Sequence, residues 1–106
     1  MENVTDMRYM FHDSEFNGDI SSWDVGNVTD MKYMFNSSEF NGVISNWNVE
    51  NVTDMSFMFC YSKFNGDISN WDVEKVTNMH SMFDGCPLEN RPEFQPKFKT
   101  KKAKVV

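Results

Sequence analysis

Residues able to do chemistry are few in this sequence, and most of them recur in register. The most suggestive run is Asp13-x-Glu15-x-Asn17-Gly18-x-Ile20-x-x-x-Asp24. It imitates a twelve-residue EF-hand calcium loop, with oxygen ligands at alternate positions and glycine at the sharp turn. The copies spoil it. Ser37 and Asn48 stand at the first and last ligand places of the second copy, and Tyr61 and Lys63 stand among the ligands of the third. An ammonium group cannot coordinate a cation, so no metal is expected. Cys60 and Cys86 are too few for a disulfide framework or a four-ligand zinc site. Cys86 stands where Ser14, Ser38 and Ser62 stand, which suggests a small packed thiol, and whether the two are bridged is left open by spacing alone. His12 and His80 occupy variable positions, and no paired nucleophile or carboxylate cluster repeats with them. No phosphate-binding glycine loop appears, so neither catalysis nor a cofactor is expected. The N-x-S/T triplets at Asn3, Asn27, Asn36 and Asn51 match glycosylation acceptors, but three are simply the same turn repeated.

What positions these residues is a period of 24. Asn3-Val4-Thr5-Asp6-Met7 returns at Asn27 and Asn51, and once more, degraded, as Lys75-Val76-Thr77-Asn78-Met79. Units therefore start at 3, 27, 51 and 75. Eight columns are apolar in all three full units: in the first they are Val4, Met7, Met10, Phe11, Phe16, Ile20, Trp23 and Val25. The column of Arg8, Lys32 and Ser56 must face water. Ile20-x-x-Trp23-x-Val25 ends with period-two spacing and predicts a short strand. Thr5-Asp6 before Met7-x-x-Met10-Phe11 predicts a capped helix of one or two turns. Asn17-Gly18 predicts a tight turn. The fold expected is α/β: a leucine-rich-repeat-like right-handed solenoid with one short parallel strand and one short helix or turn per 24-residue coil. Residues 1–88 would form four coils and 89–106 a C-terminal cap and basic tail.

In such a strand the residues between inward side chains point outward. The predicted binding face is therefore Ser22, Asn46 and Asn70; Asp24, Asn48 and Asp72; and Glu50 and Glu74, with Gly26 heading that last ladder. Polar residues are also required there for solubility alone.

The run Ile44-x-x-Trp47-x-Val49-x-x-Val52-Thr53-x-Met55-x-x-Met58-Phe59, continued by Ser62 and Phe64, resembles the leucine-rich-repeat surface proteins of the BspA-like type, in the variant of Mycoplasma and Listeria surface lipoproteins. The resemblance covers about residues 3–88. It implies a solenoid, exposure on the cell surface, and adhesion or protein binding, with a host or neighbouring cell surface supplying the protein partner. The alternative is a structural spacer or self-assembling element with no ligand.

Length and charge bound the rest. At 106 residues the chain makes one small domain, and it opens with no signal peptide. Residues 1–84 hold 14 acids against four Lys/Arg, and residues 85–106 hold two against six. The acidic body repels phosphates, so no nucleic-acid partner is expected. The stretch from Lys97 to Lys104 could touch an anionic surface but reads more simply as a solvated terminus. Only Met1 and Glu2 precede the first unit, so that unit presents apolar side chains and an unpaired edge, and self-association through this uncapped N-terminal coil is expected.

Overall fold

Residues one period apart are joined by backbone hydrogen bonds. In the computed structural model, which describes residues 3–98, Met7 N–H donates to the Asp30 carbonyl at 3.0 Å, Met31 to Asp54 at 3.0 Å and Met55 to Asn78 at 2.8 Å. The same bond recurs two residues on (Tyr9 to Lys32), four on (Phe11 to Met34) and six on (Asp13 to Asn36), and again at both later junctions. The basic stretch expected to form a tail lies, from residue 99 on, outside the described residues, as do Met1 and Glu2.

The expected leucine-rich-repeat-like α/β solenoid does not form. Among the described residues there is no α-helix and no strand. Regular structure is confined to two 3₁₀ helices, Pro87–Asn90 and Pro92–Phe94. The parallel pairings are single-residue bridges: Asp6 with Asp30, Asp30 with Asp54, and Asp54 with Asn78.

Backbone geometry explains both departures. Over residues 7–13 the amides not spent on the neighbouring unit close turns, with Met10 N–H donating to the Met7 carbonyl at 3.3 Å and His12 to Tyr9 at 3.1 Å. Tyr9 (φ 60°) and Asp13 (φ 54°) lie in the left-handed region, as do Tyr33, Ser37, Phe57 and Tyr61. A helix would need unbroken right-handed dihedrals and i→i−4 bonds, so the predicted helix is instead a run of overlapping turns. The predicted strand at 20–25 is also folded by turns, with Trp23 N–H on the Ile20 carbonyl and Val28 N–H on Val25.

The columns nonetheless stack. Phe11, Phe35, Phe59 and Phe83 form a pile with ring centroids 5.5, 5.4 and 5.9 Å apart and planes within 8°. Phe16, Phe40 and Phe64 make a second, and Tyr9, Tyr33 and Phe57 a third on the outer side. The indole N–H of Trp47 donates to the Ile20 carbonyl one unit back, and that of Trp71 to Ile44. Met31, Met34, Met55, Met58, Phe35 and Phe59 are completely buried. Beyond the fourth unit, Leu88 is buried, the Phe94 carbonyl accepts from Ile68 N–H, and Phe94 and Phe98 pack on the core.

Truncating a ring in the middle of the pile should cost far more than truncating one at its end. Phe59→Ala is expected to destabilise by about 3–5 kcal/mol. Phe11→Ala, at a half-buried ring, should cost no more than about half as much. Urea unfolding of both variants checks this, and equal costs would contradict the stacked arrangement.

Candidate functional site

With no α-helix and no strand among the described residues, many amides must find other acceptors, and short polar side chains supply them. The residues predicted as a binding face, Ser22, Asp24, Asn46, Asn48, Glu50, Asn70, Asp72 and Glu74, are all exposed. Several are engaged with their own backbone. Asp24 accepts from Gly26 N–H at 3.0 Å, Asn48 from Glu50 N–H at 3.1 Å and Asp72 from Glu74 N–H at 3.2 Å. Asn46 donates its amide to the Ser21 carbonyl. These residues share columns, but no strand carries them, so the predicted outward strand face does not exist as such. Adhesion through a leucine-rich-repeat strand face loses its structural basis.

The same staple recurs elsewhere, and sequence reasoning missed it. Asp6, Asp30, Asp54 and Asn78 each accept from the N–H two residues on, as do Asp19 and Asp67. Ser14, Ser38 and Ser62 hydroxyls do the same for Phe16, Phe40 and Phe64. The signal was present: Asp, Asn and Ser recur at fixed places just before amides that turn. Asn17 and Asn41 instead accept from the asparagine amide one unit on, both at 2.8 Å. The Arg8 guanidinium beside Asp6, with Nη2 2.9 Å from the carboxylate, holds that carboxyl below its ordinary range. The Ser21 hydroxyl and amide do so for Asp19, and the Ser69 amide and hydroxyl for Asp67.

The remaining candidates come apart. Of the calcium-like loop, Asn17 and Asp24 spend oxygens on backbone amides, and among the described residues no group of three or more His, Cys, Asp or Glu side chains converges. His12 lies edge-on to Tyr9, and His80 edge-on to Phe57. Cys60 and Cys86 are buried free thiols, both pushed up in pKa by burial. Cys86 donates to the Phe64 carbonyl at 3.2 Å and accepts from the Ser62 hydroxyl at 3.6 Å. An open groove of about 330 Å³ runs beside Val43, Ile44 and Phe64. A second, of about 240 Å³, lies on the fourth unit between Met79, Met82, Phe83, Glu89, Gln95 and Phe98.

The first unit presents the largest contrast. Met10 is 44% exposed and Phe16 37%, whereas Met34, Met58 and Phe40 in the same columns are at 0%. Tyr9 is also exposed, and Phe11 and Trp23 are half-buried.

With this geometry in hand, a family model described as "Mycoplasma protein of unknown function, DUF285" matches residues 1–96. The chain belongs to the DUF285 family. No curated protein and no solved structure matches it. The resemblance to BspA-like leucine-rich-repeat surface lipoproteins is thereby corrected: membership rests on DUF285, and the described residues of this chain form no strand and no α-helix of the kind a leucine-rich repeat requires. Among the described residues no helix is long and apolar enough to cross a membrane.

The second unit lacks one staple. Val43, 65% exposed, stands where Asp19 and Asp67 stand, ahead of Ser45 in the column of Ser21 and Ser69. Val43→Asn should raise the urea midpoint near neutral pH, by giving Ser45 N–H an acceptor without a third carboxylate between Asp19 and Asp67. The native carboxylate staples follow the opposite logic in acid. At Asp19 and Asp67 the folded pKa lies below the unfolded one, so their contribution is complete above the ordinary carboxylate value of about 3.9 and is lost as pH falls through the lower folded value. The asparagine gain should therefore persist in acid while overall stability falls. A midpoint unchanged by Val43→Asn would falsify the staple.

Proposed function

We propose that this chain is a non-enzymatic protein-interaction module that self-associates through the open face of its first unit. The observation carrying this reading is the contrast within one column: Met10 lies 44% exposed where Met34 and Met58 are fully covered. Around it Tyr9 and Phe16 are exposed, and the Phe11 and Trp23 rings are only partly covered. An apolar patch continuous with a packed core gains most by burial against a surface of the same shape. The units themselves are such surfaces. The exterior elsewhere supports the assignment of association to this end, because its polar side chains are largely occupied in holding turns. The non-enzymatic part of the reading is supported by the placement of His12 and His80 against rings at opposite ends of the array and by the burial of both thiols.

The test is a double substitution, Tyr9→Lys with Met10→Lys, which places charge on the patch, gives up the Tyr9–Tyr33 stack and leaves every residue of the later units unchanged. The parent chain should show a mass by light scattering that rises with concentration, and the double variant should stay at one chain mass. A parent chain that remains monomeric throughout, or a variant indistinguishable from it, overturns the reading.

Cell-surface display is the setting we attach to the module. Protease added to intact cells should remove the chain, and survival of the chain until lysis would remove this part of the proposal.

A further inference from the structure

The hydrogen bonds between units have a sense, and it determines which surface can cover the first unit. Over residues 7–13 and their copies, the earlier unit donates N–H and the later unit accepts through C=O, at every junction. The first unit is therefore left with the carbonyls of Asp6, Arg8, Met10 and His12, which take the places of Asp30, Lys32, Met34 and Asn36 and accept from no described residue. The fourth unit is left with the complement. The N–H groups of Met79, Ser81 and Phe83 find no acceptor among the described residues, and the fourth in the row, Gly85, is satisfied by the Glu89 carboxylate at 3.0 Å.

Two first-unit faces meeting each other would set carbonyl row against carbonyl row. A first-unit face meeting a fourth-unit face sets three acceptors against three donors at the same two-residue step. We propose that the self-association inferred above, on which this rests, is head-to-tail: the first unit of one copy seats on the fourth unit of the next, continuing the internal register. Met79 then donates to Asp6 of the second copy, Ser81 to Arg8 and Phe83 to Met10.

The side chains agree with this register. Phe83, at the open end of the ring pile, is half-buried, and Phe11 is the half-buried ring at the other end. Stacking them continues a pile whose internal steps are 5.4–5.9 Å. Met10 enters the groove of about 240 Å³ floored by Met79, Met82 and Phe83. His12 comes over Asp84, which shares its column, so that an imidazole meets a carboxylate. Because the two contact surfaces differ, the association is heterologous, and repeating the internal register stacks further copies along one axis where a two-fold contact would stop at two.

Ser81→Lys, which sets a long charged side chain where Tyr9 of the incoming copy would extend the outer pile, blocks the tail; Tyr9→Lys with Met10→Lys blocks the head. Each variant alone should stay monomeric by light scattering. Mixed, they should form a species of two chain masses that grows no further, because one good head meets one good tail. Two monomeric variants that retain cooperative unfolding yet fail to pair overturn the proposal. If Ser81→Lys associates as the parent does, the head-to-tail register is wrong while association through the first unit stands. If the head-blocked variant also associates as the parent does, both fall.

Discussion

Alternate amides of one short segment decide the architecture. In residues 7–13 and their copies, one set of N–H groups reaches the next unit and the other set closes turns within its own. Neither set is free for a helix, and the left-handed residues between them prevent an extended strand. Left-handed dihedrals at Tyr9, Tyr33 and Phe57 each cost about 1–2 kcal/mol, an expense tolerated because the amide at each is bonded to the neighbouring unit and the ring lies on its copy. Ring spacings of 4.7–4.8 Å in this outer pile match the spacing of hydrogen-bonded parallel backbones. The backbone step thus favours side chains that stack on their own copies, and the two inner phenylalanine piles do so with centroids 5.4–6.4 Å apart.

The acidic exterior follows from the same shortage of regular structure. Where helices and strands would satisfy amides among themselves, this chain uses carboxylate, carboxamide and hydroxyl oxygens two residues back. Aspartate suits the task because it accepts without competing as a donor. Much of the negative charge is thereby explained by holding turns, and a binding role for Asp24 or Asp72 has to be argued against that prior use. Asn48 between them keeps the staple while separating two like charges.

The period, the buried columns and the vulnerable first unit were legible in the sequence. Val28, Met31, Met34, Phe35, Phe40, Ile44, Trp47 and Val49 are all buried as their column pattern predicts. Local conformation was not legible. Apolar spacing of three and four describes a helix, but it equally describes overlapping turns that present Met7, Met10 and Phe11 to one side. Trp23-x-Val25 likewise satisfies strand spacing although each residue borders a turn. Nothing in the composition marks Tyr9 or Phe57 as left-handed: glycine, the usual signal, is absent from their column and stands only at Gly85 in the other left-handed column, with Asp13, Ser37 and Tyr61. Thr5-Asp6 has the pattern of a helix cap, but the aspartate bridges to its copy and staples Arg8 N–H. Cys86 was easier, because three serines in its column already defined a small buried site whose oxygen accepts from the amide two residues on, and a thiol fits there.

The inter-unit bonds also run partly in reverse, and this bears on what an end can do. Thr29 N–H and Glu39 N–H donate back to the Thr5 and Ser14 carbonyls, and the Thr29 hydroxyl and Trp47 indole likewise point backward. Forward bonds are grouped over 7–13 and, apart from the Ile68 bond to Phe94 beside the irregular C-terminal segment, backward ones over the remainder of the unit, so each end carries donors on one side and acceptors on the other. A partner surface must match both sides in register, and a generic apolar protein surface cannot. The fourth unit has surrendered part of that match: Glu89 occupies the Gly85 amide, and the segment from Pro87 to Phe94 continues without the Ile–Trp–Val columns. Its three remaining donors lie on the side where the first unit offers only carbonyls. Shape and polarity therefore favour the same docking sense, and the half of the fourth unit that no longer follows the pattern limits how much of the internal interface a second copy could reproduce.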